Sequence, residues 1–137
     1  MPGVNPNQEN IVRPPFIEHV NVTVSDPERT ARLLSAIFGW HERWRGPARD
    51  GGTTIHVGSD RAYLALYTGP DGEHADRRYP KGEPLNHVGV QVDDLDATED
   101  RVKAVGLAPF AHADYAPGRR FYFLDPDGIE YEVVSYA

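Results

Sequence analysis

Set against itself with His19 on His87, the chain repeats: HVNVTVSDPERTARLLSA (19–36) falls on HVGVQVDDLDATEDRVKA (87–104). The alignment pairs His19/His87, Val20/Val88, Val22/Val90, Val24/Val92, Asp26/Asp94, Thr30/Thr98 and Ala36/Ala104. After a contraction of one residue the register also sets Gly39 on Gly106, Asp60 on Asp127, and AYLALY (62–67) on IEYEVV (129–134). Such a duplication restricts the fold to two like units. Each unit has about fifty residues, too few to bury a sufficient core alone. The two must therefore cover their sheets together or against a second chain, and a homodimer is expected.

Within a unit, Val20, Val22 and Val24 alternate with His19, Asn21 and Thr23, which predicts a strand with one apolar and one polar side. Asp26 followed by Pro27 starts a helix, the carboxylate capping free amides where proline misses none. Leu33, Leu34 and Ile37 form its apolar stripe and Gly39 stops it. Asp94 to Gly106 repeats the plan with Val102 and Val105. Strand-like runs follow in each half: TTIHVG and AYLALY in the first, RFYFL and EYEVVSY in the second, the latter pair joined by the turn DPDG. The expected class is α+β, two tandem βαβββ modules forming a curved mixed sheet cleft with helices outside. The first module spans 16–68, the second 85–137, with a flexible arm over 1–15 and a Gly/Pro-rich polar linker over 69–84.

The 137 residues include no cysteine, so a metal site must draw on His, Asp, Glu, Tyr and backbone oxygens. A net charge of −7 argues against nucleic acid as a partner, which needs clustered Lys and Arg. The sequence has no apolar run long enough to span a membrane and no signal-peptide pattern at its start, so a cytoplasmic location is expected.

A duplicated strand-helix-three-strand unit that opens on a histidine in an alternating strand and closes on FYFLDPDGIEYEVV resembles the vicinal oxygen chelate superfamily. That superfamily includes glyoxalase I, extradiol dioxygenases, fosfomycin resistance proteins, methylmalonyl-CoA epimerase and bleomycin-binding proteins. The resemblance covers roughly residues 16–136 and is most specific at FYFLDPDG followed by Glu132. It implies metal ligands on the first and last strands of the units, at His19, Ala65, His87 and Glu132. The residues point the same way: Glu132 shares a strand face with Glu130 and Val134, where a carboxylate is costly unless paired or bound to a cation. Two imidazoles and a carboxylate leave open positions on a divalent ion for substrate, oxygen or water. Fe(II) or Mn(II) is favoured; Zn, Ni and Co also accept such ligands.

Ala65 cannot coordinate, which sets glyoxalase I and the epimerase behind the three-ligand members. The resemblance places Tyr122 where fosfomycin resistance proteins and extradiol dioxygenases carry a site tyrosine, and His112 in a loop that reaches over the metal; both are candidate catalytic residues. His41 and His74 read as solvated and His56 as lining or flanking the cleft. The expected activity is that of a divalent-metal-dependent enzyme, a dioxygenase or lyase that binds a small molecule through neighbouring oxygens. Two alternatives stand beside it. One is a fosfomycin-type thiol transferase or hydrolase, although His112, Ala116 and Arg120 replace the lysine and serines expected of a phosphonate pocket. The other is a sequestering protein without turnover, with Trp40, Trp44, Tyr63, Tyr67 and Tyr115 as stacking surfaces.

Overall fold

The computed structural model describes residues 14–72 and 78–137; His74, most of the N-terminal arm and part of the linker lie outside them. The first module runs β1 (His19–Thr23), α1 (Pro27–Phe38), β2 (His41–Pro47), β3 (Thr53–Gly58) and β4 (Tyr63–Thr68). The second runs β5 (Val88–Gln91), α2 (Leu95–Ala104), β6 (Phe110–Tyr115), β7 (Gly118–Leu124) and β8 (Glu130–Ser135). Each module is a four-stranded mixed sheet, ordered β1-β4-β3-β2 and β5-β8-β7-β6. The first strand pairs in parallel with the last, and the other pairings are antiparallel. This is the α+β, twice-repeated βαβββ architecture that the duplication predicts.

The helices form where the capping residues stand. Asp26 accepts from Arg29 N at 3.1 Å and Asp94 from Ala97 N at 3.0 Å, each satisfying an amide that the first turn leaves open. Gly39 ends α1 in the left-handed region, φ 69°, with its N–H returned to Ser35 O. Helix α1 buries Ala31, Leu34 and Ile37 and leaves Leu33 half-buried; α2 buries Leu95, Thr98 and Val102, with Val105 just past its end.

The apolar strand positions turn toward the helices. Val22, Ile55, Val57, Leu64 and Leu66 of the first sheet share one continuous core with Phe121, Phe123, Tyr131 and Val133 of the second. Phe38 at the end of α1 lies 6.2 Å from Phe123 and 4.8 Å from Trp40, ring centre to ring centre, so Trp40 serves the core. Full burial of such side chains contributes roughly 1.5–3 kcal/mol each. Polar contacts join the modules as well. Arg101 Nε of α2 donates to Ile37 O near the C-terminus of α1 at 2.7 Å. In the DPDG turn, Asp125 Oδ1 accepts from Asp127 N and Ile129 N, both at 2.9 Å, while Asp127 Oδ1 accepts from Ser25 N of the first module at 3.1 Å.

The sequence patterns do not show β2 and β6. Both are outer strands, exposed along most of their length, so neither alternates in hydrophobicity.

Candidate functional site

Strand alternation turns His19, Asn21, His56 and Ala65 to the face of the first sheet opposite the helices, and His87, Gly89, Tyr122 and Glu132 to that of the second. Ladder register makes the two faces comparable. Asn21 pairs Ala65, Ala65 pairs His56, and His56 pairs Trp44; in the second sheet Gly89 pairs Glu132, Glu132 pairs Tyr122, and Tyr122 pairs Phe110. Ala65 is thus the counterpart of Glu132, and His56 that of Tyr122. One duplicated row carries a carboxylate and a phenol; the other carries a methyl group and an imidazole.

The second row converges. Glu132 Oε1 lies 3.3 Å from His87 Nε2, and Oε2 accepts from Tyr122 Oη at 2.8 Å and Arg120 Nη1 at 3.1 Å. Gly89 lies beside this pair: a Cβ there would stand 3.9 Å from Oε1, in ordinary van der Waals contact. His87 Nδ1 lies 2.7 Å from Asn86 Oδ1, an acceptor, and this contact orients the ring with Nε2 toward Glu132. A lone pair and a carboxylate oxygen 3.3 Å apart repel unless a cation or a proton stands between them. Two ligands at right angles, each about 2.1 Å from a shared ion, are ~3 Å apart. The spacing therefore fits a metal ion.

Burial pushes the Glu132 carboxyl up, but the Tyr122 and Arg120 hydrogen bonds and the nearby His87 outweigh it and hold the group below its ordinary range. The same hydrogen bond, with burial, raises the Tyr122 phenol. Tyr122 therefore keeps its proton at neutral pH and acts as a donor. Beside this group Glu130 is buried and pairs with Lys81 Nζ at 2.7 Å, so its charge is already offset.

His19 occupies the matching place in the first sheet and is held alike: its Nδ1 lies 2.8 Å from Oε1 of the preceding residue, Glu18, which frees Nε2. Its ring stacks on Tyr63 at 4.9 Å, and His56 stacks on Tyr63 at 4.5 Å and lies 5.0 Å from Trp44. Burial, then the neighbouring His19 and Arg43, lower the His56 imidazole and favour its neutral form. An open recess of about 810 Å³ lies on this face, lined in part by Trp44, His56, Asp50 and Tyr67.

Of the residues expected at the site, His87, Glu132 and Tyr122 meet. His19 does not join them within the chain; among the described residues no three of His, Asp and Glu stand close enough to hold a metal. His112 lies on the other side of its sheet, bonded to Glu99 of α2 at 2.8 Å and stacked on the core ring of Phe121. The cause is a bulge in β6: Phe110 pairs Tyr122 but Ala113 pairs Arg120, and Ala111 has φ 54°. The extra residue turns His112 to the helix side. His41 sits on the exposed strand β2, 3.6 Å from Asp60.

Arg120, Gly89 and Asn86 escaped the reading of the sequence as members of this group. Arg120 had one legible signal, its position two residues before Tyr122 and hence on the same face. The roles of Gly89 and Asn86 depend on atoms brought close only by the parallel pairing of β5 and β8.

The sequence profile of the Glyoxalase/Bleomycin resistance protein/Dioxygenase superfamily matches residues 16–133. No curated protein sequence matches the chain significantly. Among solved structures, the chain is similar to a glyoxylase/bleomycin resistance protein/dioxygenase domain from Frankia sp. EAN1pec, with TM-score 0.77 and 23% identity over 90% of this chain and 98% of that one. It is similar to the fosfomycin resistance protein FosX from Listeria monocytogenes complexed with Mn(II) and sulfate, with TM-score 0.67 and 19% identity over 88% and 91%. It is also similar to TnmS3, an antibiotic binding protein from Streptomyces sp. CB03234, with TM-score 0.69 and 21% identity over 90% and 97%. At these identities the likeness is one of fold. No helix among the described residues is long and apolar enough to cross a membrane.

Proposed function

Because the chain belongs to the Glyoxalase/Bleomycin resistance protein/Dioxygenase superfamily, we propose that it is a divalent-metal-dependent enzyme acting on a small molecule with neighbouring oxygen atoms. His87 Nε2 and Glu132 Oε1 would hold the ion, and His19 of the partner subunit in a homodimer would complete the set. The observation that carries this reading is the 3.3 Å approach of Nε2 to Oε1 with Nδ1 turned to Asn86. Further support comes from His19, whose Nε2 is freed in the same way on an exposed sheet face. Fe(II) and Mn(II) suit an imidazole and carboxylate set with open positions.

When bound, such an ion polarises the substrate oxygens and stabilises negative charge developing on them. The chain's own contribution is positional and protonic. Asn86 orients His87 with Nε2 toward Glu132. Tyr122 Oη keeps its proton and can donate it to an oxygen arriving beside Glu132. His112 has no part in this reading because it faces α2. The expected chemistry is dioxygenase- or lyase-like; that of a fosfomycin-type thiol transferase or hydrolase is the less favoured course.

Metal content of the purified protein tests the centre: stoichiometric metal in the wild type and its loss in His87→Ala support it, and full metal retained in His87→Ala overturns it. Mixing His19→Ala with His87→Ala chains tests completion by a second copy. Each mixed dimer would hold one intact set, regenerating roughly a quarter of the wild-type sites after random exchange. A site built within one chain regenerates none.

The aromatic face of the first sheet favours one other reading, a binder without turnover. Trp44, His56 and Tyr67 line its recess and would stack on a flat ligand. A protein that binds such a ligand equally well after metal removal would follow this course.

A further inference from the structure

We infer that Arg120 is a positioning residue that confines Glu132 to ligation through Oε1 and tunes the centre toward substrates whose vicinal oxygens bind as an anion. The inference rests on the metal-centre reading above. Arg120 and Tyr122 both donate to Oε2, at 3.1 and 2.8 Å, whereas Oε1 faces His87. An oxygen that already receives two hydrogen bonds, one of them from a cation, is a poor ligand, so Oε1 is left for that role. The guanidinium is held in place: Nη2 donates to Gly118 O at 3.3 Å, the group lies 4.7 Å over the Tyr115 ring, and only 13% of the side chain is exposed.

Its charge offsets that of Glu132. With a divalent ion the centre then carries a net charge of about +2 instead of about +1. Glu130 does not cancel the difference, because Lys81 neutralises it at 2.7 Å. Two consequences of opposite sign follow. The guanidinium weakens the hold on the cation, since a like charge nearby disfavours it, and strengthens the hold on a chelating anion. Damage to the fold would weaken both together.

The test compares wild type, Arg120→Gln and Arg120→Lys, each checked for native circular dichroism. Mn(II) alone is titrated first by calorimetry, and oxalate is then titrated into the Mn(II)-loaded protein. Arg120→Gln, polar but uncharged, is expected to bind Mn(II) about threefold to tenfold more tightly and oxalate about tenfold more weakly, a factor typical of losing one partly buried charge interaction. Arg120→Lys, which keeps the charge but loses the planar fork and the stacking on Tyr115, should fall between wild type and Arg120→Gln on both. Affinities that are unchanged, or that fall together, in Arg120→Gln overturn the inference, as does a lysine variant that behaves like glutamine. A wild-type protein that binds no Mn(II) overturns the metal-centre reading itself, before any variant is considered.

Discussion

Asp125 offers a sharp test of the physics that joins the two modules. Asp125 is 4% exposed, its Oδ1 serves two backbone amides, and its Oδ2 is buried without a hydrogen bond. Burial, reinforced by the Asp127 carboxylate, pushes its pKa from 3.8 to about 6, against the amides of Ile129 and Asp127 and the more distant Arg29. Tyr131, the other titratable neighbour, is itself raised by burial and stays neutral. Because the folded pKa exceeds the unfolded one, the stability associated with this proton is fully present below about pH 4 and is lost as pH rises through about 6. A rise from 3.8 to about 6 corresponds to about 3 kcal/mol, at about 1.36 kcal/mol for each factor of ten. An asparagine in its place would keep both amide hydrogen bonds through its carbonyl and put no charge in the core. We expect Asp125→Asn to be about 2–3 kcal/mol more stable than wild type at pH 8, or about 7–10 °C in Tm for a chain of this length. The advantage should shrink as the pH falls from about 6 to about 4. Thermal unfolding by circular dichroism across pH 4–8 measures the difference. Equal slopes for the two proteins, or an asparagine variant that is weaker at pH 8, would refute the reasoning.

Gly89→Ala should keep its stability within about 1 kcal/mol of wild type and retain the metal content of wild type, since the added Cβ would only touch Glu132 Oε1 at 3.9 Å; metal analysis alongside thermal melting checks both. Arg101→Ala removes the 2.7 Å hydrogen bond to Ile37 O and the tie to Thr98 Oγ1, and should cost about 1.5–3 kcal/mol in a urea titration.

What the sequence settled by itself is the plan of the molecule. The 19/87 repeat, the Asp caps at 26 and 94, and the alternation of Val22 and Val24 with Asn21 and Thr23 are local, periodic signals, and each half obeys them. They also set His19 on the polar face of its strand and Glu132 on the face of Glu130 and Val134, because side-chain direction in a strand follows from parity alone. Parity fails where a strand gains a residue. The bulge in β6 carried His112 to the helix side, and its signal, a positive φ at Ala111, is conformational and leaves no mark in composition. The exposed strands β2 and β6 were equally silent, for want of a buried face to impose a pattern.

Only the tertiary structure decided which atoms of Glu132 are engaged. The pairing of β7 with β8 gives Oε2 to Tyr122 and Arg120, and the parallel pairing of β5 with β8 leaves Oε1 to His87 above Gly89. It also decided that His19 stays with Tyr63 and His56 in the other sheet. A linear chain records which residues repeat, but the distance between two repeats depends on how their sheets pack, and that is fixed by the shared core and the Arg101 and Asp127 contacts that hold the modules together.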